Sequence, residues 1–566
     1  MSLQAPSRLR AKDSTLFASL ANAAEITGNL GWTNLASKPP FSLAEIAAIA
    51  AGVRKEGLDA VVLIGQGGSS QASMTITQLY EVSKGTDVAF RTLDCLSPVL
   101  VNHILQASNP ARTLYIVSSK SGSTIEPLLL ERVVWHYVSG QLGSIGAARR
   151  FVAITDPGSK LEQLALVKDY RFVFAAPKAV GGRFSALSIF ALFPAALIGI
   201  DIELVVAKTA LVEERCVQDS EDNPALDLAC FIYANYEQGR DKISLVMPPS
   251  AAVFGLWLEQ LIAESLGKQG KGILPNVEVD VSVLQAPHAD RLVITYCIGS
   301  DASFQASLAQ IDASTPVRHY HLDSVEELFD RFVIWEYAVV LLGLLMQINP
   351  FGQPDVEDTK KRVRKLLSKL DDAGLQADSP PAIQEPDYLE LNFPETEADD
   401  VLTLRISRAL LEQSGLGRGE ISVEAALRAL FAALTATDYF SLNAFLPFHG
   451  SSRRAALERM RNLVASHLGV AACLEIGPRY LHSTGQLHKG GPNNGVFCFL
   501  SAEEESDIEI PGEDFSLGQL ATTQARGDFA ALAARGRRAV QLHLAGNDPD
   551  TLNRIADCFS RAVFSL

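Results

Sequence analysis

Short apolar runs recur along the first two thirds of the chain, each followed by a polar loop and a stretch of helical length. That alternation restricts the fold more than any other feature. Residues 60–64, 114–117, 151–155 and 172–175 read as strands in a first block, and 243–247, 292–298 and 317–322 in a second. A run of four to eight apolar residues suits a strand buried on both faces. Strands alternating with helices give a parallel sheet. The expected class is therefore α/β, with two parallel-sheet domains carrying helices on both faces, plus a C-terminal α/β domain.

At 566 residues the chain exceeds what one core can organise, and 48% hydrophobic residues can fill several. The expected division is a helical segment over 1–41, a first domain over 42–205, a second over 206–372 and the C-terminal domain over 388–566. A polar, proline-bearing stretch at 371–387 reads as a linker. Beyond it, 440–445, 473–476, 496–500 and 539–544 supply the strands of the last domain.

Two of the loops are rich in serine. The first is Gly65-Gln66-Gly67-Gly68-Ser69-Ser70, the second Ser118-Ser119-Lys120-Ser121-Gly122-Ser123-Thr124, and Pro127 follows in the first turn of the next helix. Such a loop turns backbone N–H groups and hydroxyls toward one point, where a helix N-terminus also favours an anion. Neither loop matches the dinucleotide or Walker signature. A serine-rich helix cap is the plainer alternative for one loop, and two in one α/β unit favour a phosphate ligand.

Near the middle of the chain lies Leu256-Trp-Leu-Glu-Gln260-Leu-Ile-Ala-Glu264-Ser-Leu-Gly267-Lys-Gln-Gly-Lys-Gly272. Gln260 and Glu264 fall one turn apart on one helix face. The helix is apolar all round and should be buried. Burial disfavours the charged form of a carboxylate, which is how a general base is poised near neutral pH. The alternative is a plain ion pair of Glu264 with Lys268 or Lys271.

Charge and cysteines exclude several classes. The net charge is −16, from 49 basic and 65 acidic residues, and no basic cluster stands out, so neither nucleic acid nor a membrane is an expected partner. Seven scattered cysteines show no metal-ligand spacing, which suits a reducing compartment. Residues 184–200 and 332–348 are strongly apolar but short and interrupted by polar groups, and read as core helices. A cytoplasmic protein is expected.

Five ordered segments carry a resemblance. Gly65–Ser70, Ser119-Lys-Ser-Gly-Ser-Thr-Ile-Glu126, Gly181-Gly-Arg-Phe-Ser185, Gln260–Lys268 and Asn349-Pro-Phe-Gly-Gln-Pro-Asp-Val-Glu-Asp-Thr-Lys360 resemble the motifs of phosphoglucose isomerases in order, spacing and chemistry. The tail, with Arg479-Tyr-Leu-His-Ser-Thr-Gly-Gln-Leu-His-Lys-Gly-Gly491, is similar to the isomerase half of bacterial transaldolase/phosphoglucose isomerase fusions. The opening Arg10–Leu16 resembles the join in such fusions, which implies a transaldolase domain as partner in a fused form.

The resemblance names the first two domains as sugar-isomerase (SIS-type) domains. It implies interconversion of glucose 6-phosphate and fructose 6-phosphate through an enediol, with no cofactor and no metal, in a homodimer. It further implies Glu264 as the base, Gln260 as a substrate-orienting neighbour, Arg183 as the cation that offsets developing negative charge, and Lys360 as a ring-opening group. The phosphate is expected against Gly68, Ser69, Ser119, Lys120, Ser121, Ser123 and Thr124.

The histidine departs from the family pattern, which places it between the glutamate helix and the lysine motif and delivers it from the neighbouring subunit. His482 is favoured, before His488 and His288. Two other readings stay open: an isomerase of mannose 6-phosphate or of an amino sugar phosphate, and a non-catalytic phosphosugar-binding protein.

Overall fold

The computed structural model describes residues 4–566 apart from 279, 300, 357–361, 364–381, 385, 394–399, 418–420, 448–450 and 505. The chain forms two compact units. The first comprises Met1–Asp94, His103–Gln353 and the short segment His482–Thr484, and the second Cys95–Asn102, Pro354–Leu481 and Gly485–Leu566.

The first unit holds two parallel sheets. One is built from β1 (Ala60–Gly65), β2 (Ala89–Leu93), β3 (Thr113–Ser119), β4 (Phe151–Thr155) and β5 (Phe172–Ala175), in the order β2-β1-β3-β4-β5. β1 is buried throughout, as its unbroken apolar run requires. The order reverses between β1 and β3, where Gly65 pairs with Ser118. A crevice forms at such a reversal, beyond the C-terminal ends of the strands, and both serine-rich loops leave from it.

The other sheet contains β6 (Lys242–Val246), β7 (Leu274–Glu278), β8 (Arg291–Ile298) and β9 (Val317–Leu322), in the order β7-β6-β8-β9. It reverses in the same way between β6 and β8. Helix α1 (Gln71–Lys84) follows the first serine loop, α2 (Ile125–Ala148) the second, and α3 (Ala252–Leu266) follows β6. Thr75 Oγ1 on α1 donates to Val253 O on α3 (3.1 Å), tying the two sheets' helices together.

The core packs α3 against α4 (Leu328–Met346) and β8 through rings: Trp257 and Phe332 lie 4.6 Å apart, Phe254 and Tyr296 of β8 5.1 Å. Trp335 Nε1 donates to Tyr296 OH (2.6 Å), so the indole is buried without an orphaned donor.

β2 and β7 escaped the sequence reading. β2 is an edge strand with a half-buried, mixed pattern. β7, Leu-Pro-Asn-Val-Glu, carries Pro275, which a strand tolerates at a sheet edge because the ladder uses only one side.

The second unit is a mixed sheet of β10 (Ala382–Gln384), β11 (Tyr388–Asn392), β12 (Val401–Ser407), β13 (Tyr439–Phe445), β14 (Ala471–Ile476), β15 (Gly495–Ala502) and β16 (Arg538–Leu544). Its order is β10-β11-β12-β16-β15-β13-β14, with β13 to β16 parallel, and with β10 to β12 an antiparallel meander whose β12 pairs antiparallel with β16. The expected strands of this domain are present, and the meander is additional. β10 lies inside the stretch expected as a linker, whose residues 371–381 and 385 fall outside the described residues. Among the described residues, no helix is long and apolar enough to cross a membrane.

Candidate functional site

Glu264 lies in the last turns of α3 with its side chain 8% exposed. Its Oε1 faces Arg183 Nη1 at 3.5 Å, and its Oε2 accepts from Gln260 Nε2 (3.1 Å). The alternative pairing at the helix end is not what holds it: Lys268 Nζ donates to Asn349 O (2.8 Å) and Lys271 Nζ to Met346 O (2.8 Å).

Arg183 reaches Glu264 from a single 3₁₀ turn, Gly182–Phe184. Its Nε donates to Ser265 Oγ (2.8 Å), Nη1 to Gln353 Oε1 (3.2 Å), and Nη2 to Pro350 O (2.6 Å) and Phe351 O (2.9 Å). With one N–H left toward Glu264, the planar fork is fully used by protein groups. Burial pulls the guanidinium below its ordinary value and the Glu264 charge opposes that. Two members of this arrangement, Ser265 and Gln353, were not singled out from sequence, although both sit inside the quoted motifs.

The turn between β1 and α1 is where the pieces meet. Gly67 has φ +57°, a conformation glycine adopts without strain. A Cβ there would stand 3.0 Å from Gln260 Nε2 and 3.0 Å from His482 Cβ. Gly68 meets the arginine turn backbone to backbone, so that a Cβ would fall 2.0 Å from Gly182 C. Ser185 Oγ clips the two turns, donating toward Gly182 O (2.6 Å) and Gly68 O (3.0 Å).

His482 therefore stands beside the Glu264 helix within the same chain. Its Nε2 is 3.7 Å from Glu126 Oε1, in the first turn of α2, and has no hydrogen-bond partner. Glu126, the last residue of a quoted motif, is a neighbour of His482 that the sequence did not single out. The other two histidines are elsewhere. His288 Nε2 bonds Val283 O (2.9 Å). His488 is fully enclosed in the second unit among Tyr439, Tyr480 and Phe497, and burial drives its imidazole well below the ordinary value, with Lys489 and Arg537 adding to the effect. Lys360 lies outside the described residues.

The serine loop forms a compact cradle. Ser69 Oγ accepts from Lys120 N (3.1 Å), Ser123 N and Oγ approach Ser121 Oγ (3.3 and 3.1 Å), and Ser121 Oγ lies 3.4 Å from Thr124 Oγ1. Ser119 Oγ is buried without a partner. The Lys120 ammonium is held by Asp156 Oδ2 (2.7 Å) and Lys178 O (3.2 Å). Hydroxyls and backbone N–H groups carry the cradle.

Fold and site together define a protein of the sugar-isomerase (SIS) fold. Residues 45–281 match the family model described as "Phosphoglucose isomerase". The "Probable glucose-6-phosphate isomerase" of Haloarcula marismortui is 30% identical over 350 residues, covering 55% of this chain and 78% of that protein. The "Glucose-6-phosphate isomerase" of Acholeplasma laidlawii is 29% identical over 363 residues, 56% of this chain and 84% of that protein. Among solved structures, a hypothetical protein from Thermus thermophilus shares the fold with a TM-score of 0.55 at 24% identity, over 66% of this chain and 97% of that one. The chain belongs to the phosphoglucose isomerase family.

Proposed function

We infer that the chain interconverts glucose 6-phosphate and fructose 6-phosphate, with Glu264 as the base that moves the proton between C2 and C1. The observation that supports this reading is the Glu264 carboxylate, buried on α3 and fixed by Gln260 and Arg183, with Gln260 Nε2 in turn against Gly67, which His482 also adjoins. Removal of the C2 proton of the open-chain aldose leaves an electron pair that becomes the C1–C2 double bond as the aldehyde oxygen gains charge or a proton. The O2 hydroxyl gives up its proton, the one that O1 has gained in net terms, and return of the carbon-bound proton to C1 leaves the carbonyl at C2. One base serves both transfers.

Arg183 acts on the charge of the enediol through space, since its donors are committed to protein groups, and it holds Glu264 in place. Gln260 keeps its Oε1 unpaired for a substrate hydroxyl. The phosphate binds on Ser69, Ser119, Ser121, Ser123 and Thr124 with the Gly68 backbone. His482 and Lys360 share the ring opening. Because His482 comes from the same chain, each subunit of the homodimer implied by the family resemblance would carry its own histidine.

A coupled assay on purified protein, in both directions and with and without chelator, tests the reading. Turnover of glucose 6-phosphate and fructose 6-phosphate is expected and should survive the chelator. Activity confined to mannose 6-phosphate or an amino sugar phosphate would move the substrate. No turnover of any hexose phosphate would leave only a binding protein.

A further inference from the structure

Gln66 is only 6% exposed, yet neither its amide oxygen nor its amide nitrogen has a hydrogen-bond partner. A buried amide in that state leaves the desolvation of each unpaired group uncompensated, so a fold keeps one where something else completes it. Two neighbours at the crevice are in the same condition: Ser119 Oγ and Gln260 Oε1 are also buried and unpaired. Three orphaned groups around one strand reversal indicate a shared polar ligand rather than isolated packing faults.

The direction of Gln66 follows from the strand it ends. Its backbone is still extended (φ −133°, ψ 150°), so the alternation of β1 continues through Gly65 and places Gln66 on the face of Val62 and Ile64. Val62 pairs with Tyr115, which pairs with Phe151, and Phe151 packs on Trp135 of α2 (5.1 Å). This is therefore the α2 face, the side on which Glu126 and His482 stand. The next residue, Gly67, lies against Gln260 and His482.

We propose that Gln66 is a specificity-determining residue whose amide hydrogen-bonds hydroxyls of the sugar chain between the phosphate cradle and the reacting carbons. An amide offers one acceptor and a donor pair side by side. Neighbouring hydroxyls of an open-chain hexose phosphate, each both donor and acceptor, complement it. The proposal rests on the isomerase reading for its substrate, and its test also has a binding arm that does not need turnover.

Gln66→Met and Gln66→Leu keep roughly the volume and remove both polar atoms. Each is expected to lower kcat/KM for glucose 6-phosphate by about 10- to 100-fold, the loss for hydroxyls left unpaired. Apparent melting temperature without ligand should hold or rise, since the orphaned groups are gone. A purely structural role predicts the reverse. On 3-deoxy- and 4-deoxyglucose 6-phosphate, wild type should already carry the penalty at the hydroxyl Gln66 contacts, and the variants should add little for that analogue. Calorimetric binding of glucose 6-phosphate should weaken by a similar factor. Should wild type bind but fail to turn over, the isomerase reading falls while the binding arm still judges Gln66. Variants that match wild type within about twofold in binding and kcat/KM, or that lose equally on every analogue, would overturn the proposal.

Discussion

Arg183 and Glu264 face each other at 3.5 Å, both buried, with the rest of the guanidinium spent on Ser265, Gln353, Pro350 and Phe351. In the proposed reading the pair is a base and its fixture. Removing the carboxylate's charge while keeping its shape separates chemistry from architecture. Glu264→Gln should cut turnover by at least ~10²-fold with phosphosugar binding largely kept. Near-normal turnover in a steady-state assay would sink the assignment.

The serine cradle makes a prediction that Lys120 sharpens. Ser119→Ala with Thr124→Ala should raise KM more than it lowers kcat, because a distal phosphate is held equally in ground and transition states. Lys120→Met should change KM by less than about threefold, since the ammonium is already engaged by Asp156 at 2.7 Å. A large KM rise in the lysine variant alone would mean that the ammonium leaves Asp156 for the phosphate.

The difference between what was legible in the chain and what was not has a physical basis. β1 announces itself because a strand buried on both faces must be continuously apolar. β7 could not, because an edge strand pairs on one side and tolerates Pro275 and Asn276. In the candidate site, the shared helix face of Gln260 and Glu264 was readable from helical spacing. The engagement of Lys120 by Asp156 was not, since it depends on where β4 ends against the second serine loop. Gln66 was invisible for the same reason: a sequence gives the amide, and only the packed chain shows that nothing bonds it.

His488 supplies a pH dependence. In the unfolded chain a histidine takes its proton near pH ~6.5. In the folded chain burial holds the imidazole neutral far below that. Under about pH 6.5 the unfolded state therefore binds the extra proton, and stability falls as pH drops, by up to about 1.4 kcal/mol per unit from this group. Above that pH the group contributes no slope. His488→Phe, placed among the existing rings, should lose less of its apparent melting temperature between about pH 7.5 and 5.0 than wild type does. Equal losses would show that other groups set the acid limb.

The position of His482 bears on how many chains an active site needs. The nearness of His482 to Gly67, where an added Cβ would meet its Cβ, and its 3.7 Å approach to Glu126 both lie within one chain, so the ring-opening step should not require a neighbour. His482→Ala should strongly impair turnover of cyclic sugar while sparing slower C2 proton exchange on sugar that has opened by itself, because Glu264 still performs that step. Deuterium exchange from solvent, followed by NMR beside the isomerase assay, reads both. Mixing Glu264→Gln chains with His482→Ala chains then distinguishes the two ways of supplying the histidine. If each chain uses its own, every site in the mixture keeps one defect and no activity returns. If the histidine crosses between subunits, mixed dimers regain one intact site, and activity rises toward about a quarter of wild type as subunits exchange at random. Recovery of activity after unfolding and refolding the two variants together, but not apart, would overturn the single-chain arrangement.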